Sequence, residues 1–239
     1  AIMAAFCLAY LERFFRKITP QVISMIVVPF CSLLLAVMAA HFVLGPIGWT
    51  IGNWIAAVVQ AGISGSFRVL FGAIFGFVYA PLVITGLHHM TNAVDLQLIS
   101  ANEGTAHPGT MLWPMIALAN IAQGSAVLGM IYLQRKNAAA QEVNVPSCIS
   151  CYLGVTEPAM FGVNLKFHFP FICGMIGSAI AAAVCVATST TANAIGVGGI
   201  PGILSIQPAY MLSFALCMVI AIVVPFVLTV SVGKKKGIA

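Results

Sequence analysis

Charged side chains are nearly missing from this sequence: 10 Lys+Arg and 5 Asp+Glu, 6% of 239 residues. A water-facing domain carries about a quarter charged residues, because its surface needs them. That shortage excludes a cytosolic enzyme, a secreted disulfide scaffold and a nucleic-acid binder, and it makes the net charge of +5 a matter of membrane topology. No basic stretch precedes the apolar residues Ala1 to Tyr10, so they are not a signal peptide. Cys148 and Cys151 form a C-x-x-C, but neither a second C-x-x-C nor a nearby His pair completes a zinc or redox site. The 7 Cys are therefore read as small apolar filler, and no metal or cofactor is expected. The glycines of Gly196 to Gly202 suggest a phosphate cradle, yet the Lys-Ser/Thr of a P-loop is missing, so the stretch is read as a flexible connection. Internal repeats and low-complexity tracts are absent as well.

What is present is apolar: 61% of the chain, with a mean hydropathy of +1.07. A membrane-spanning helix needs about 20 apolar residues, so the expected fold is an all-α integral membrane protein, a polytopic helical bundle. Three basic clusters punctuate the apolar runs: Arg13-Phe14-Phe15-Arg16-Lys17, Arg135-Lys136 and Lys234-Lys235-Lys236. The positive-inside rule puts all three on the cytoplasmic side. Spans are expected near 20–43, 68–87, 110–133, 170–189 and 208–232. The stretch 46–65, with Trp49, Asn53, Trp54 and Gln60 among apolar residues, reads as a helix lying in the membrane interface. Returning the chain to its starting side needs another crossing, for which 88–107 is the best candidate although short and polar. The polar stretch 137–147 reads as a cytoplasmic loop and 148–167 as a broken, re-entrant segment.

Between Lys17 and Glu103 only Arg68 and Asp95 are formally charged, and between Glu142 and Lys234 only Glu157 and Lys166. Ionisable groups at membrane depth cost several kcal/mol unless they line a cavity or find partners. Both interrupted segments carry them. The first runs Thr85-Gly86-Leu87-His88-His89-Met90-Thr91-Asn92 and on to Asp95 and Gln97; adjacent histidines point in different directions on a helix, so they do not share one ligand. The second runs Gly154-Val155-Thr156-Glu157-Pro158 and on to Asn164 and Lys166. Pro158 deprives the carbonyl of residue 154 of its helical partner and suits the first turn of a new helix. Broken helices are tolerated in lipid where they line a polar cavity, and they build substrate sites near the midplane. A His pair, an acid, amides and hydroxyls beside aromatic faces suit an uncharged, polyhydroxylated ligand. The alternative for Glu157 is a buried strut paired with Lys166 or a histidine.

At these two motifs the chain resembles the membrane-embedded IIC domain of the sugar phosphotransferase permeases of the glucose superfamily. Thr85-Gly86-Leu87-His88-His89 and Gly154-Val155-Thr156-Glu157-Pro158 carry the resemblance. Tyr79 to Ile84, Trp113-Pro114, Ala119 to Gln123, Asn164-Leu165-Lys166 and Gly196 to Pro208 are similar to the trehalose-specific branch. The resemblance implies a transporter that is also a transferase in the bacterial cytoplasmic (inner) membrane. A phosphorylated cysteine on a IIB domain, itself supplied through IIA and HPr, would phosphorylate the 6-hydroxyl of a sugar held by IIC. By the same resemblance Glu157 would hydrogen-bond that hydroxyl and take its proton, and His88 would contact it. Thr85, His89, Asn92, Asp95, Thr156, Asn164 and Lys166 are further candidates for binding the sugar. Trehalose is the expected sugar and sucrose the nearest alternative.

The implied architecture is a dimerising scaffold domain and a mobile transport domain with two re-entrant hairpins, moving as an elevator. Residues 1–45 would be the end of the scaffold, 46–66 a connecting interfacial helix, and 67–239 the transport domain, its re-entrant motifs at about 88–107 and 148–167. The family's IIC domain has further N-terminal helices, and this chain starts without Met inside an apolar run, so it is expected to be part of a longer protein. The glucose and maltose branches carry an Arg where this chain has Ala80, so either Lys166 or Arg68 would replace that cation or none would. A phosphocysteine loop of the IIB kind is not evident. Two rival readings differ in kind: an ion-coupled carrier using Glu157 and Asp95 as a relay, and a sugar-binding sensor without turnover.

Overall fold

The computed structural model describes residues 2–105 and 108–238. The chain divides into two compact units, Ala1–Ile55 and Ala56–Ala239. In the first, α1 (Ile2–Ile18) and α2 (Gln21–Ala39) meet at a break before Pro20, whose fixed φ and missing N–H suit it to precede a helix. Arg16 closes onto Glu12 one turn earlier at 2.7 Å, in the last turn of α1, where cations complement the helix dipole. Small side chains on α2, Ser32 and Ala36, are buried, whereas Val22, Met25 and Ile26 are exposed. A wide π-type turn at Ala40–Leu44 carries the helix into α3 (Gly45–Ser64). The predicted interfacial stretch is thus helical, and Trp54 is exposed on it.

The second unit is built on α6 (Leu112–Leu133), which is buried almost end to end. That explains its mixture of Ala, Gly, Ser and single polar residues: a helix surrounded by helices needs close approach, not an apolar stripe. Around it stand α4 (Arg68–Ile84), α7 (Ala138–Tyr152), α10 (Phe169–Ala187) and α11 (Met211–Lys235). Two short helical turns lie between α7 and α10, α8 (Glu157–Ala159) and α9 (Leu165–Phe167), joined by a π-type turn at Met160–Asn164. Gln21–Ile47, Leu112–Leu133, Phe169–Ala187 and Pro208–Lys235 are long and apolar enough to cross a membrane, and Arg68–Ile84 is a shorter apolar helix. The expected spans all lie on these helices.

Small residues set the close helix contacts. Gly72 and Gly76 form a small-x-x-x-small pair on α4 facing α10. A Cβ on Gly76 would lie 2.7 Å from both Ala182 Cβ and the Ser178 carbonyl oxygen. Gly76→Leu is therefore expected to force α4 off α10 and to lower the detergent melting temperature by several degrees, the effect of about 3 kcal/mol of overpacking.

The ends of the unit are fixed by charge and aromatic rings. The Tyr132 ring receives Arg135 at 5.4 Å and Lys234 at 5.8 Å, and Lys236 stands 5.2 Å from the Phe169 ring. The second and third basic clusters and the start of α10 therefore share one end, as the charge rule requires.

Two expectations are corrected, and a third stretch is defined between them. Residues 137–147 are not a loop: α7 begins at Ala138, because Asn137 caps it by accepting from the Ala140 N–H at 3.1 Å and good helix formers follow. The stretch 88–107 is expected to be re-entrant and to return the chain to its starting side. The helix there, α5 (His89–Ala101), has 13 residues, about 20 Å against a hydrocarbon core of about 30 Å. It runs back toward the start of α4, where Leu98 and Asn102 share a cavity with Arg68. The α4–α5 pair is thus a hairpin open at the end opposite the basic clusters, its tip at Thr85–His88; Ala106 and His107 lie outside the described residues. Finally, the Gly-rich stretch after α10 is not a loose connection. Thr110 and Ala192 exchange backbone hydrogen bonds at 2.9 and 2.8 Å, and Ala192, Gly198, Gly199 and Ile206 are buried.

Candidate functional site

The α4–α5 tip turns on Gly86, at φ +74°, which leaves His88 directed inward. The His88 N–H reaches the Leu82 carbonyl at 3.3 Å, and Thr91 Oγ1 donates to the His88 carbonyl at 2.6 Å, so the turn is closed on both sides. The His88 ring lies against Tyr79 edge-on at 6.4 Å and beside His89 at 4.0 Å.

The other half of the site is the interruption after α7. The chain leaves α7 through Gly154 at φ +102° and restarts at Glu157 with Pro158 in the first turn. Pro158 cannot donate to the Gly154 carbonyl, as the sequence requires. That carbonyl instead accepts from Asn120 Nδ2 of α6 at 3.5 Å. Glycines close the back of the break: a Cβ at Gly198 would strike Asn120 Nδ2, and one at Gly199 the Tyr152 carbonyl. The Gly-rich stretch thus braces the turn that presents Glu157.

The two interruptions meet. His88 Nε2 and Glu157 Oε1 are 3.7 Å apart, His88 largely covered and Glu157 half exposed. That is too long for a direct hydrogen bond, but one oxygen atom can lie about 2.8 Å from both. His88 Nδ1 is buried without a partner. Thr156, buried, immediately precedes Glu157, and His89, Thr85 and Asn92 are exposed around the hairpin tip. This cluster can hold a hydroxyl between an acceptor and an imidazole and can accept its proton.

The remaining candidates lie elsewhere. Asp95 is fully buried and accepts from Thr110 Oγ1 at 2.7 Å, tying α5 to the residues just before α6. Asn164 is also fully buried: its amide donates to Gln123 Oε1 at 2.8 Å and to the Gln123 carbonyl at 3.1 Å, bolting the returning arm onto α6. Lys166 is exposed beside Gln134 and Asn144 at the basic end, 5.8 Å from the Phe167 ring. Arg68 donates to Ser189 at 3.0 Å, at the far end of a helix about 25 Å long. In this structure neither cation stands beside Glu157, and Ala80 is buried. Asn120, Gln123 and Thr110 support the site without having been singled out individually; polar residues inside an otherwise apolar helix were the available signal. Cys148 and Cys151 are buried, with Sγ atoms 3.4 and 3.1 Å from the Gly124 and Asn120 carbonyls. Among the described residues no group of three His, Cys, Asp or Glu could hold a metal ion.

Comparison with known proteins places the chain in a family. The family described as "Phosphotransferase system, EIIC" matches residues 1–178. The trehalose-specific EIIBC component of the PTS system of Escherichia coli (strain K12) is 50% identical over 236 residues, 99% of this chain and 49% of that relative. Its counterpart in Bacillus subtilis (strain 168) is 44% identical, over 98% of this chain and 49% of the relative. The sucrose-specific EIIBC component of Pasteurella multocida (strain Pm70) is 40% identical, over 98% of this chain and 48% of the relative. The chain thus spans about half the length of these curated relatives. No solved structure matches it.

Proposed function

The chain belongs to the phosphotransferase system EIIC family, and from that premise we propose that it is the permease part of a phosphoenolpyruvate-dependent system for trehalose. It binds the sugar, moves it inward and presents its 6-hydroxyl to a phosphorylated IIB domain, which is charged in turn through IIA and HPr. The observation that carries this reading is the 3.7 Å approach of His88 Nε2 to Glu157 Oε1. The hydroxyl sits against both. Its oxygen attacks the phosphorus of the phosphocysteine, the new O–P bond forms as the S–P bond breaks, the thiolate leaves, and the proton passes to Glu157. His88 holds the hydroxyl oxygen in line. General-base help of this kind is worth about 10²–10⁴-fold. Thr85, His89, Asn92 and Thr156 stand nearest to meet the remaining hydroxyls, while Asp95 and Asn164 hold the hairpins in place. The scaffold part, residues 1–45, contributes to a homodimer in the bacterial inner membrane, 46–66 connects, and 67–239 carries the sugar.

Trehalose is preferred over sucrose because the two trehalose-specific relatives share 50% and 44% of aligned residues, against 40% for the sucrose-specific one. The test is a competition: the complete permease with phosphorylated IIB and both sugars at equal concentration. The expected result is at least a tenfold preference for trehalose, about 1.4 kcal/mol in kcat/KM. Equal or reversed use of sucrose contradicts the assignment.

A further inference from the structure

Between Lys17 and Glu103 the formally charged residues are Arg68 and Asp95, and the proposed site leaves Arg68 unused. The notion that it replaces the cation missing at Ala80 fails on position, since it begins α4 and His88 follows the other end. It lines a second cavity of about 430 Å³, at the end of the unit away from the basic clusters. Gln60, Asn102 and Thr191 line the same cavity, with Ile63 and Leu98 as apolar wall.

The polar groups there are incompletely used. Thr191 is 1% exposed and its Oγ1 has no hydrogen-bond partner. Burying a hydroxyl unpaired is costly unless something else completes it. Arg68 has five donors, of which one nitrogen is committed, to Ser189 at 3.0 Å. Gln60 and Asn102 amides face each other at a long 3.4 Å, and the second Asn102 group is held by the Gly109 carbonyl at 2.9 Å. Among the described residues no carboxylate and no second cation line the cavity. A single guanidinium among amides and a hydroxyl needs a ligand that both donates and accepts at several points. A neutral polyol does so, and the apolar wall receives its C–H face. The volume falls within the range of small-molecule sites, roughly 300–1,000 Å³.

We propose that this cavity is an outward capture site, where the neutral disaccharide binds before it reaches His88 and Glu157. By the charge rule the basic end faces the cytoplasm, so the Arg68 end faces the side from which sugar arrives. The inference rests on the permease reading above. It predicts a directional defect. In the complete permease, Arg68→Gln and Thr191→Val raise the KM for trehalose uptake into right-side-out vesicles by about tenfold, the loss of one charge-assisted or one buried hydrogen bond, with kcat unchanged. Phosphorylation of trehalose supplied at the cytoplasmic face of inverted vesicles keeps its wild-type KM. An unchanged uptake KM in both variants overturns the capture site, and so does an equal rise from both faces, which marks a general structural defect. If the wild-type permease phosphorylates trehalose from neither face, the permease reading itself falls, and the capture site with it.

Discussion

Replacing Glu157 by Gln lowers the rate of sugar phosphorylation by about 10²–10⁴-fold, while sugar binding changes by no more than a few-fold. The reasoning is geometric. Glu157 is held at the start of a helical turn whose preceding residues are pinned by Asn120 and the glycines of the 188–207 stretch. The amide is isosteric, so the turn and its hydrogen bonds persist. What is lost is the ability to accept a proton as the sugar oxygen bonds to phosphorus. The measurement is single-turnover transfer from phosphorylated IIB alongside equilibrium binding of labelled trehalose. A variant that transfers phosphate at the wild-type rate removes Glu157 from the chemistry. A variant that loses binding and transfer together makes Glu157 a sugar ligand or a strut.

The second large effect is expected at Gly199, far from any reacting atom. Its backbone is at φ +69° and ψ −150°, a region open essentially to glycine alone. An added Cβ would also meet the Tyr152 carbonyl and lie 2.9 Å from the Gly154 nitrogen. Both groups are backbone and cannot swing away. Gly199→Ala therefore destabilises the permease by about 3 kcal/mol or more, strain and displacement combined. It also shifts the turn that carries Glu157, so transfer falls with it. Gly237 provides the control: it too has positive φ, +70°, but nothing lies within 4 Å of an added Cβ. Gly237→Ala is expected to cost about 1 kcal/mol and to leave transfer intact. Thermal melting in detergent and a phosphorylation assay distinguish the two variants. Equal melting would mean that the Gly-rich stretch does not brace the break.

The two interruptions were legible from local chemistry. Pro158 after Gly154 breaks a helix wherever it stands, and a His pair with Thr, Asn and Asp cannot lie against lipid. What stayed hidden depends on contacts distant in sequence. Asp95 and Asn164 looked like ligands because a polar group in an apolar run signals a cavity. Each also has one buried partner, Thr110 and Gln123, while Asp95 Oδ2 and Asn164 Oδ1 are buried without one; nothing in either residue's own neighbourhood announces that pairing. The packing of α5 was hidden for a related reason: its low hydropathy says that it cannot span alone, not that it folds back along α4. The Gly-rich stretch was misread because glycines that free a chain and glycines that let two backbones touch have the same spelling. Asn137 is the exception: a cap followed by Ala-Ala-Ala-Gln-Glu was readable, and polarity alone argued for a loop.

Under the proposed function, the arrangement would join transport to chemistry through one contact. One interrupted segment supplies His88 and the other Glu157, and each is anchored by helices of the same compact unit. A sugar hydroxyl lodged between them is positioned by both. On that proposal, moving the bound sugar and activating it would be tasks of the same two residues, and sugar would be released inside in phosphorylated form.

The most direct measurement uses the complete permease in sealed right-side-out vesicles, with labelled trehalose outside and phosphorylated IIB, or no phosphodonor, inside. This account predicts that trehalose 6-phosphate accumulates in the lumen when the donor is present, and that free trehalose does not accumulate without it. Accumulation of free trehalose to the same level without any donor would contradict it and make the protein a carrier without chemistry.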